Sequence, residues 1–409
     1  MGTEPVLSIC VPSRNRQLYF QETIKALLEN PRDDVEFVFA DNSDDPSIMD
    51  GFMAARQDDR RIVYLSSGER TYSMMENWER SVAAATGQWV AAIGDDDYLD
   101  PDAAGFLLRL QAATGNVDAL TWAGFNYIWP DGDAPPRPLT TDLSARVTRF
   151  DKRDLMRRAF QWEGSMHVPL CGNSIYHGAI SRTLLHRIRA AFGGRFFEFP
   201  IIDYEMAFKV ILAGKDFYNV TRPFSILGVC PLSNSAAMGD TEAEDRAYQR
   251  FIRELGYDID ADPLITDTPF RVCHGVTPSI FVIQHWLSRK YNFEMGGYEE
   301  NFTRALAKSC ETYPTRQGFE LMTKRFQAIV DTWQDGRYAA LFAPVFKGRE
   351  TALQSAPRSP ARPPWTGIGT DGKLHFREDA GEARTPGELF AVLRGMLTPA
   401  DEIPITDLP

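Results

Sequence analysis

Over residues 1–125 short apolar runs alternate with segments whose apolar positions recur at helical spacing. "VLSICVP" (6–12) reads as a buried strand, and "VEFVFA" (35–40), "RIVYLSS" (61–67) and "QWVAAIG" (88–94) as further strands. Between and after them, "QETIKALLEN" (21–30), "PSIMDGFMAAR" (46–56), "YSMMENWERSVAAATG" (72–87) and "PDAAGFLLRLQAA" (101–113) read as helices. Proline opens the second and fourth, and Gly87 is placed to end the third. Such regular alternation predicts a mainly parallel sheet covered by helices on both faces. Ligands of such sheets bind beyond the carboxyl ends of the strands. Ser13, Arg14, Asn15, Asp41, Asn42 and Asp95 to Asp97 all fall at those ends.

Beyond residue 118 the pattern loosens. "DALTWAGFNYIW" (118–129) suits a strand, "IDYEMAFKVILAG" (202–214) is a helix with acidic residues in its first turn, and "DFYNVTRPFSILGV" predicts one or two short strands. Residues 240–345 read as mainly helical, and 350–372, rich in Pro, Arg, Ser and Gly, as a linker. "TPGELFAVLRGML" predicts a last short helix. The expected division is an α/β domain over 1–238, a helical region over 239–348 and a Pro-rich linker and tail over 349–409.

Composition removes several function classes. The chain has 409 residues, 44% hydrophobic, and a net charge of −12. That balance argues against a nucleic-acid binder that relies on phosphate neutralisation. An acidic protein can still hold a phosphorylated ligand if a metal or a few local cations supply positive charge. The five cysteines form no CxxC or Cys/His pattern, which points to free thiols in a reducing compartment. "MGTEPVLSICVP" lacks the basic and apolar regions of a signal peptide, and no apolar run reaches membrane-spanning length. A cytoplasmic protein is expected. A GxGxxG loop and a Walker A loop are both missing after the first strand, where the chain reads "PSRNRQ", so an ordinary NAD site or P-loop is not expected.

The candidate chemistry begins with "WVAAIGDDDYLDP" (89–101), which sets three aspartates directly after a strand. Adjacent carboxylates repel, and Mg²⁺ or Mn²⁺ offsets that repulsion while leaving positions open for phosphate oxygens. A solvated acidic turn is the plainer alternative. The four segments "LSICVPSRNR", "VEFVFADNSDD", "NWERSVAAATGQWVAAIGDDDYLDPD" and "IDYEMAFKVILAGKDFYNV" together resemble, in order and spacing, the family 2 glycosyltransferases with a GT-A fold, over roughly residues 5–235. The resemblance implies that Pro12, Ser13, Arg14 and Asp41 hold the nucleotide. Arg70, Asn77 and Asp95 are further nucleotide-side candidates.

The resemblance, with the family's metal motif counted back from Pro101, implies Asp96 as the principal metal ligand, with Asp95 and Asp97 as sharers and Gly94 in place of the family's first Asp. Asp203 aligns with the general base, with Glu205 as the fallback; Ile202 stands where the family has Glu. "CPLSNSAAM" (230–238) resembles a segment near the diphosphate, with Cys230 in place of the family's histidine and Ser233 and Ser235 as donors. Trp122, Phe125, Tyr127 and Trp129 suit either sugar stacking or core, and His167, His177 and His186 show no ligand spacing. For Asp41, Asn42 and Ser43 the plain alternative is an Asx turn, and for Asp203 it is a helix cap.

The implied protein is an inverting, Mn²⁺- or Mg²⁺-dependent glycosyltransferase that uses a UDP-sugar. Its acceptor would be a glycan or glycolipid of bacterial surface assembly, met at the inner face of the membrane, with an oligomer contact through the C-terminal region left open. A nucleotidyltransferase and a non-catalytic binding or scaffold protein on the same fold are the alternatives.

Overall fold

Strands Leu7–Ser13 (β1) and Val35–Asp41 (β2) are buried at every residue, as strands covered on both faces must be. In the computed structural model, which describes residues 4–68, 70–130, 139–233, 239–348, 367–370, 373–376 and 383–406, β1 runs parallel to β2. The next strands are Ile62–Leu65 (β3), Trp89–Ala92 (β4) and Tyr98–Leu99 (β5), followed by Ala119–Ile128 (β6), Leu139–Asp142 (β7) and Val147–Phe150 (β8). Gly178–Ser181 (β9), Phe217–Val229 (β10), Gly367–Ile368 (β11) and Lys373–Phe376 (β12) complete them. The main sheet has the order β3-β2-β1-β4-β9-β6-β10-β5, with β8 also paired to β10; β11, β12 and β7 form a small second sheet. Parallel pairing runs from β3 to β4, β9 is antiparallel to both neighbours, and β10 is parallel to β6.

The expected helices form at Gln17–Leu28 (α1), Ser47–Ala54 (α2), Met74–Ala84 (α3) and Ala103–Thr114 (α4). α1 starts before the predicted 21 because Tyr19 and Phe20 supply a further buried turn. "DFYNVTRPFSILGV" makes one long strand rather than two short ones. Its pairing with β6 shifts register around Pro223, where the missing N–H interrupts the ladder. The aromatic run on β6 is core: Trp122, Phe125, Tyr127 and Trp129 are all buried.

The chain divides into two compact units, one of Met1–Phe150, Asn173–Ala236 and Arg362–Pro409, the other of Asp151–Gly172 and Ala237–Ala361. This differs from the expected three-part division in two places. Lys152–Phe160 (α5) belongs with the later helices, and the tail belongs with the first unit. Arg182–Ala191 (α6) and Ile202–Ala213 (α7) lie in the first unit; Thr241–Leu255 (α8), Val276–Tyr291 (α9), Glu299–Cys310 (α10) and Arg316–Val330 (α11) in the second; Pro386–Arg394 (α12) again in the first. The second unit closes around Phe270, Phe281, Phe302 and Trp333.

In the first unit Phe390 of α12 packs on Tyr98 at 5.1 Å, and Arg109 donates to the Ala400 and Ile403 carbonyls. Asp100 is paired with Arg222 at 3.0 Å and Arg394 at 3.2 Å, which ties the tail to the turn after the acidic triplet. No helix of the described residues is long and apolar enough to cross a membrane.

Candidate active site

The loop after β1 is pinned to the loop after β2. Asn15 sits in the left-handed region at φ 54°. Its N–H donates to Ser43 Oγ, its side-chain amide donates to Asp44, and the Asp44 N–H returns a bond to its carbonyl oxygen. Asp41 is fully buried at the end of β2, where burial raises its pKa. One oxygen accepts from the Ser43 N–H and hydroxyl, the other from Ser67 at 3.4 Å. The Asx turn anticipated as the plain alternative is therefore present at Asp41.

Asn77 on α3 clamps the strand ends. Its amide donates to the Ser13 and Ala40 carbonyls at 3.2 Å each, and its oxygen accepts from Arg80 Nε, whose guanidinium also reaches the Asp41 carbonyl. Pro12 and Ser13 are buried, and Arg14 pairs loosely with Asp44 at 3.6 Å. Arg70 is exposed, lies over the Tyr72 ring and pairs with Glu76 at 2.8 Å. Glu76 in turn closes a capping box with Ser73 at the start of α3, so Arg70 is oriented by that helix end.

The acidic triplet follows β4 in a tight turn, and its backbone is held from behind. The Thr23 hydroxyl lies 2.9 Å from the carbonyls of Asp95 and Asp97, and Trp129 Nε1 donates to the Asp96 carbonyl. Asp95 turns to Ser13, which donates at 2.6 Å, and to Arg16, whose Nη2 lies 2.5 Å from Oδ1. Burial still pushes Asp95 up to about 7, against the pull of Arg16. Asp97 accepts from the Gly94 and Gly228 N–H groups at 2.6 and 2.7 Å, from His177 at 2.9 Å and from Tyr176 at 3.0 Å. Burial works upward on Asp97, but His177 and these amides outweigh it and hold it below the usual carboxylate range. Asp96 accepts from Ser233 and from the Cys230 N–H on Oδ2, while Oδ1 faces only Arg16 among the described side chains paired with it, at 3.5 Å. Burial raises the Asp96 pKa too. Ser235 lies outside the described residues.

Asp203 stands in the first turn of α7, partly buried, with its pKa raised by that burial. Its backbone carbonyl accepts from Ser174 at 3.0 Å, and no side-chain hydrogen bond caps the helix at Ile201. The segment 174–176 reaches both acidic centres, because the Tyr176 hydroxyl donates to Asp97 and the Ser174 hydroxyl to the Asp203 carbonyl. Glu205 is structural instead. Fully buried, it pairs with Lys209 at 2.7 Å and accepts the Glu198 and Phe199 N–H groups.

Sequence reasoning missed Arg16, Tyr176 and Gly228, and read His177 as lacking a role at the site. Arg16 lies in the quoted "PSRNR" and carried a visible signal, a cation at a strand end. The other residues are brought to Asp97 only by β9 and β10.

A divalent cation fits this site in one way. Among the described residues no group of three ligating side chains converges on a point. Asp97 accepts through both oxygens and Asp95 Oδ1 is ion-paired with Arg16 at 2.5 Å, so among the described contacts Asp96 Oδ1, 3.5 Å from Arg16, is the oxygen that could turn to a cation. Mg²⁺ and Mn²⁺ are commonly held by one or two carboxylates plus substrate phosphates, and one carboxylate beside a diphosphate meets that need.

A largely parallel sheet with acidic side chains at the ends of β2 and β4 has them where ligands of open α/β sheets bind. Residues 8–183 match the model of the family described as glycosyl transferase family 2, which makes the resemblance read from the sequence a finding over that span. The GT-A class of α/β fold, with a mainly helical region beyond it, stands with that match.

The chain is 27% identical over 95 residues to the Campylobacter jejuni GalNAc(5)-diNAcBac-PP-undecaprenol beta-1,3-glucosyltransferase, a span that is 23% of this chain and 31% of that protein. S. aureus TarS 1–349 in complex with UDP-GlcNAc superposes with a TM-score of 0.44 at 13% identity, covering 92% of this chain and 98% of that one. The mannosyltransferase PcManGT from Pyrobaculum calidifontis, in complex with GDP-Man and Mn²⁺, gives 0.38 at 17% identity, covering 86% and 88%. Likenesses of this size carry no weight for mechanism. The family match ends before Asp203, so the role of α7 rests on the geometry.

Proposed function

We propose that this protein transfers a sugar from a nucleoside diphosphate sugar, a UDP-sugar, to an acceptor hydroxyl with inversion. The observation that carries the reading is the chain of contacts among the acidic residues: Ser13 pairs in register with Asp41 and donates to Asp95, while Tyr176 donates to Asp97 and Ser174, two residues before it, to the Asp203 carbonyl. Pro12, Ser13, Arg14 and Asp41 line the nucleotide side. Asn77 positions them by holding the ends of β1 and β2 together. Arg70 is the outermost nucleotide-side candidate, on the surface beside Tyr72.

Asp203 takes the acceptor proton as the acceptor oxygen bonds to the anomeric carbon and the bond from that carbon to the diphosphate oxygen breaks; UDP leaves with the bonding pair. Asp96 would hold a Mn²⁺ or Mg²⁺ ion, and the chemistry it would supply there is charge neutralisation of the departing diphosphate. Donation from Ser233 to Asp96 and from His177 to Asp97 fixes those carboxylates. The acceptor class is a glycan or glycolipid of bacterial surface assembly. The name of the matched Campylobacter protein, with its undecaprenol-linked acceptor, supports that choice.

The test is a thermal-shift screen of nucleotide sugars with and without Mn²⁺, followed by transfer assays with the binder. A ligand at a hundred times its Kd stabilises by about 2.7 kcal/mol, well within detection. One UDP-sugar should bind, and Asp203→Asn should keep that binding while losing transfer. Pyrophosphate release from a nucleoside triphosphate would instead establish a nucleotidyltransferase, and donor binding without turnover on any acceptor a binding protein.

A further inference from the structure

Arg16 does more in this site than the resemblance assigns to it. It lies just beyond β1, next to the left-handed Asn15, and its side chain is 22% exposed. The guanidinium forks onto Asp95, with Nε at 3.1 Å from Oδ2 and Nη2 at 2.5 Å from Oδ1. Its third nitrogen reaches Asp96 Oδ1 at 3.5 Å and Cys230 Sγ at 3.8 Å. Asp97 has its own donors, so one guanidinium serves two neighbouring carboxylates.

The oxygen of Asp96 that Arg16 faces is the one a divalent cation would use. A guanidinium and a divalent ion on the same carboxylate oxygen repel each other strongly, and more so where water is excluded. The diphosphate of a donor, in contrast, is a good partner for a planar fork of N–H groups. The backbone of the loop is held by Asn15, Ser43 and Asp44, so only the Arg16 side chain has to turn.

We infer that Arg16 is an exchange cation: it neutralises Asp95 and Asp96 before the donor arrives, then passes to the donor's diphosphate when a divalent ion occupies Asp96. The inference rests on the nucleotide-sugar reading and assigns this arginine two successive partners. In the nucleotide-free protein Arg16 opposes metal binding, and with the donor in place it contributes to donor affinity. Removing the guanidinium should therefore move the two affinities in opposite directions. A residue with a purely structural role would weaken both.

The experiment measures Mn²⁺ binding to nucleotide-free protein by electron paramagnetic resonance, and UDP binding at saturating Mn²⁺ by calorimetry. Arg16→Gln is expected to bind Mn²⁺ at least tenfold more tightly than wild type and UDP at least tenfold more weakly. Mn²⁺ affinity within twofold of wild type, or unchanged UDP affinity, would overturn the exchange. Failure of UDP to bind the wild type at all would sink the UDP-sugar reading itself, which separates the two failures. Thermal melting reports whether the Gln variant is folded. Should it not fold, Arg16→Lys keeps a charge without the fork and is expected to lose threefold or more in UDP affinity; parity with wild type would then overturn the exchange.

Discussion

Glu205 is the second carboxylate of α7 and the natural competitor of Asp203 for the role of base, so its replacement discriminates sharply. Its Oε1 lies 2.7 Å from Lys209 Nζ, and its two oxygens accept the Glu198 and Phe199 N–H groups at 3.0 Å. Burial raises the Glu205 pKa and Lys209 opposes that rise. Lys209 is itself fully buried and bonds to the Phe196 carbonyl and to Glu198. Glu205→Gln keeps the shape but turns an NH₂ group toward donors.

One orphaned backbone donor costs about 1–3 kcal/mol, and breaking a buried pair costs about 3–5 kcal/mol. Because Glu198 still faces Lys209, the two losses overlap, and a net cost of about 3 kcal/mol is expected. For a unit of this size that corresponds to a fall in Tm of roughly 6–12 °C. Circular dichroism melts of wild type, Glu205→Gln, Lys209→Met and the double variant would check it, with the double variant melting below Glu205→Gln because Glu198 then loses Lys209 as well. If Glu205→Gln melts with wild type and has lost transfer, Glu205 is the base and the assignment of Asp203 fails.

Two further outcomes are expected. A base must be deprotonated to act, and burial raises the Asp203 pKa, so transfer should fall as pH drops through a value above the ordinary Asp pKa of about 3.9. Asp203→Asn should lower the rate roughly 10²–10⁴-fold and abolish that acid limb; an acid limb unchanged in the Asn variant assigns it to another group. At Gly228 a Cβ would lie 1.6 Å from the Asp96 carbonyl oxygen, and the Gly228 N–H donates to Asp97. Gly228→Ala should therefore cost about 3 kcal/mol or more, the sum of overpacking and a weakened charged hydrogen bond; a denaturation midpoint equal to wild type would show that β10 can shift at no cost.

What the sequence made legible was local. β1, β2 and β4, the helices between them, Asp41, the acidic triplet and the helix carrying Asp203 were all read from runs and spacings within about a dozen residues. What it did not show was long-range. Arg16 meets Asp95 across 79 positions, His177 meets Asp97 across 80 and Gly228 meets Asp97 across 131. No periodicity records such partners, because the strand order that brings β9 and β10 beside β4 is not written in any one segment. The same limit applies to the tail. "TPGELFAVLRGML" reads as a helix, but nothing in it reveals that Phe390 will pack on Tyr98 or that Arg394 will pair with Asp100. The Trp122–Trp129 run left core and sugar platform open, and packing decided for core: Trp122 donates to Ser225, and Trp129 to the Asp96 carbonyl.

Three adjacent aspartates can coexist here because the turn sends them to three different environments. Asp97 is held ionised by His177 and backbone amides, Asp95 is buried against Arg16 and Ser13, and Asp96 turns one oxygen toward Arg16 at 3.5 Å. The glycine at 94 belongs to the same arrangement. A Cβ there would sit 3.0 Å from both Asp96 Oδ1 and Asp97 Oδ2, so an aspartate at that position would crowd the turn and add a fourth charge to it. The Gly94 N–H instead donates to Asp97 at 2.6 Å. The acid absent at 94 and the additional acid at 95 are thus linked: the side chain one position further on points toward β1, where Ser13 and Arg16 can receive it. An Asp at 94 with Asp95 left in place would compete for Arg16, which already serves two carboxylates. The departure from the family pattern therefore leaves Asp95 and Asp96 sharing one guanidinium, with Arg16 closer to Asp95 than to Asp96.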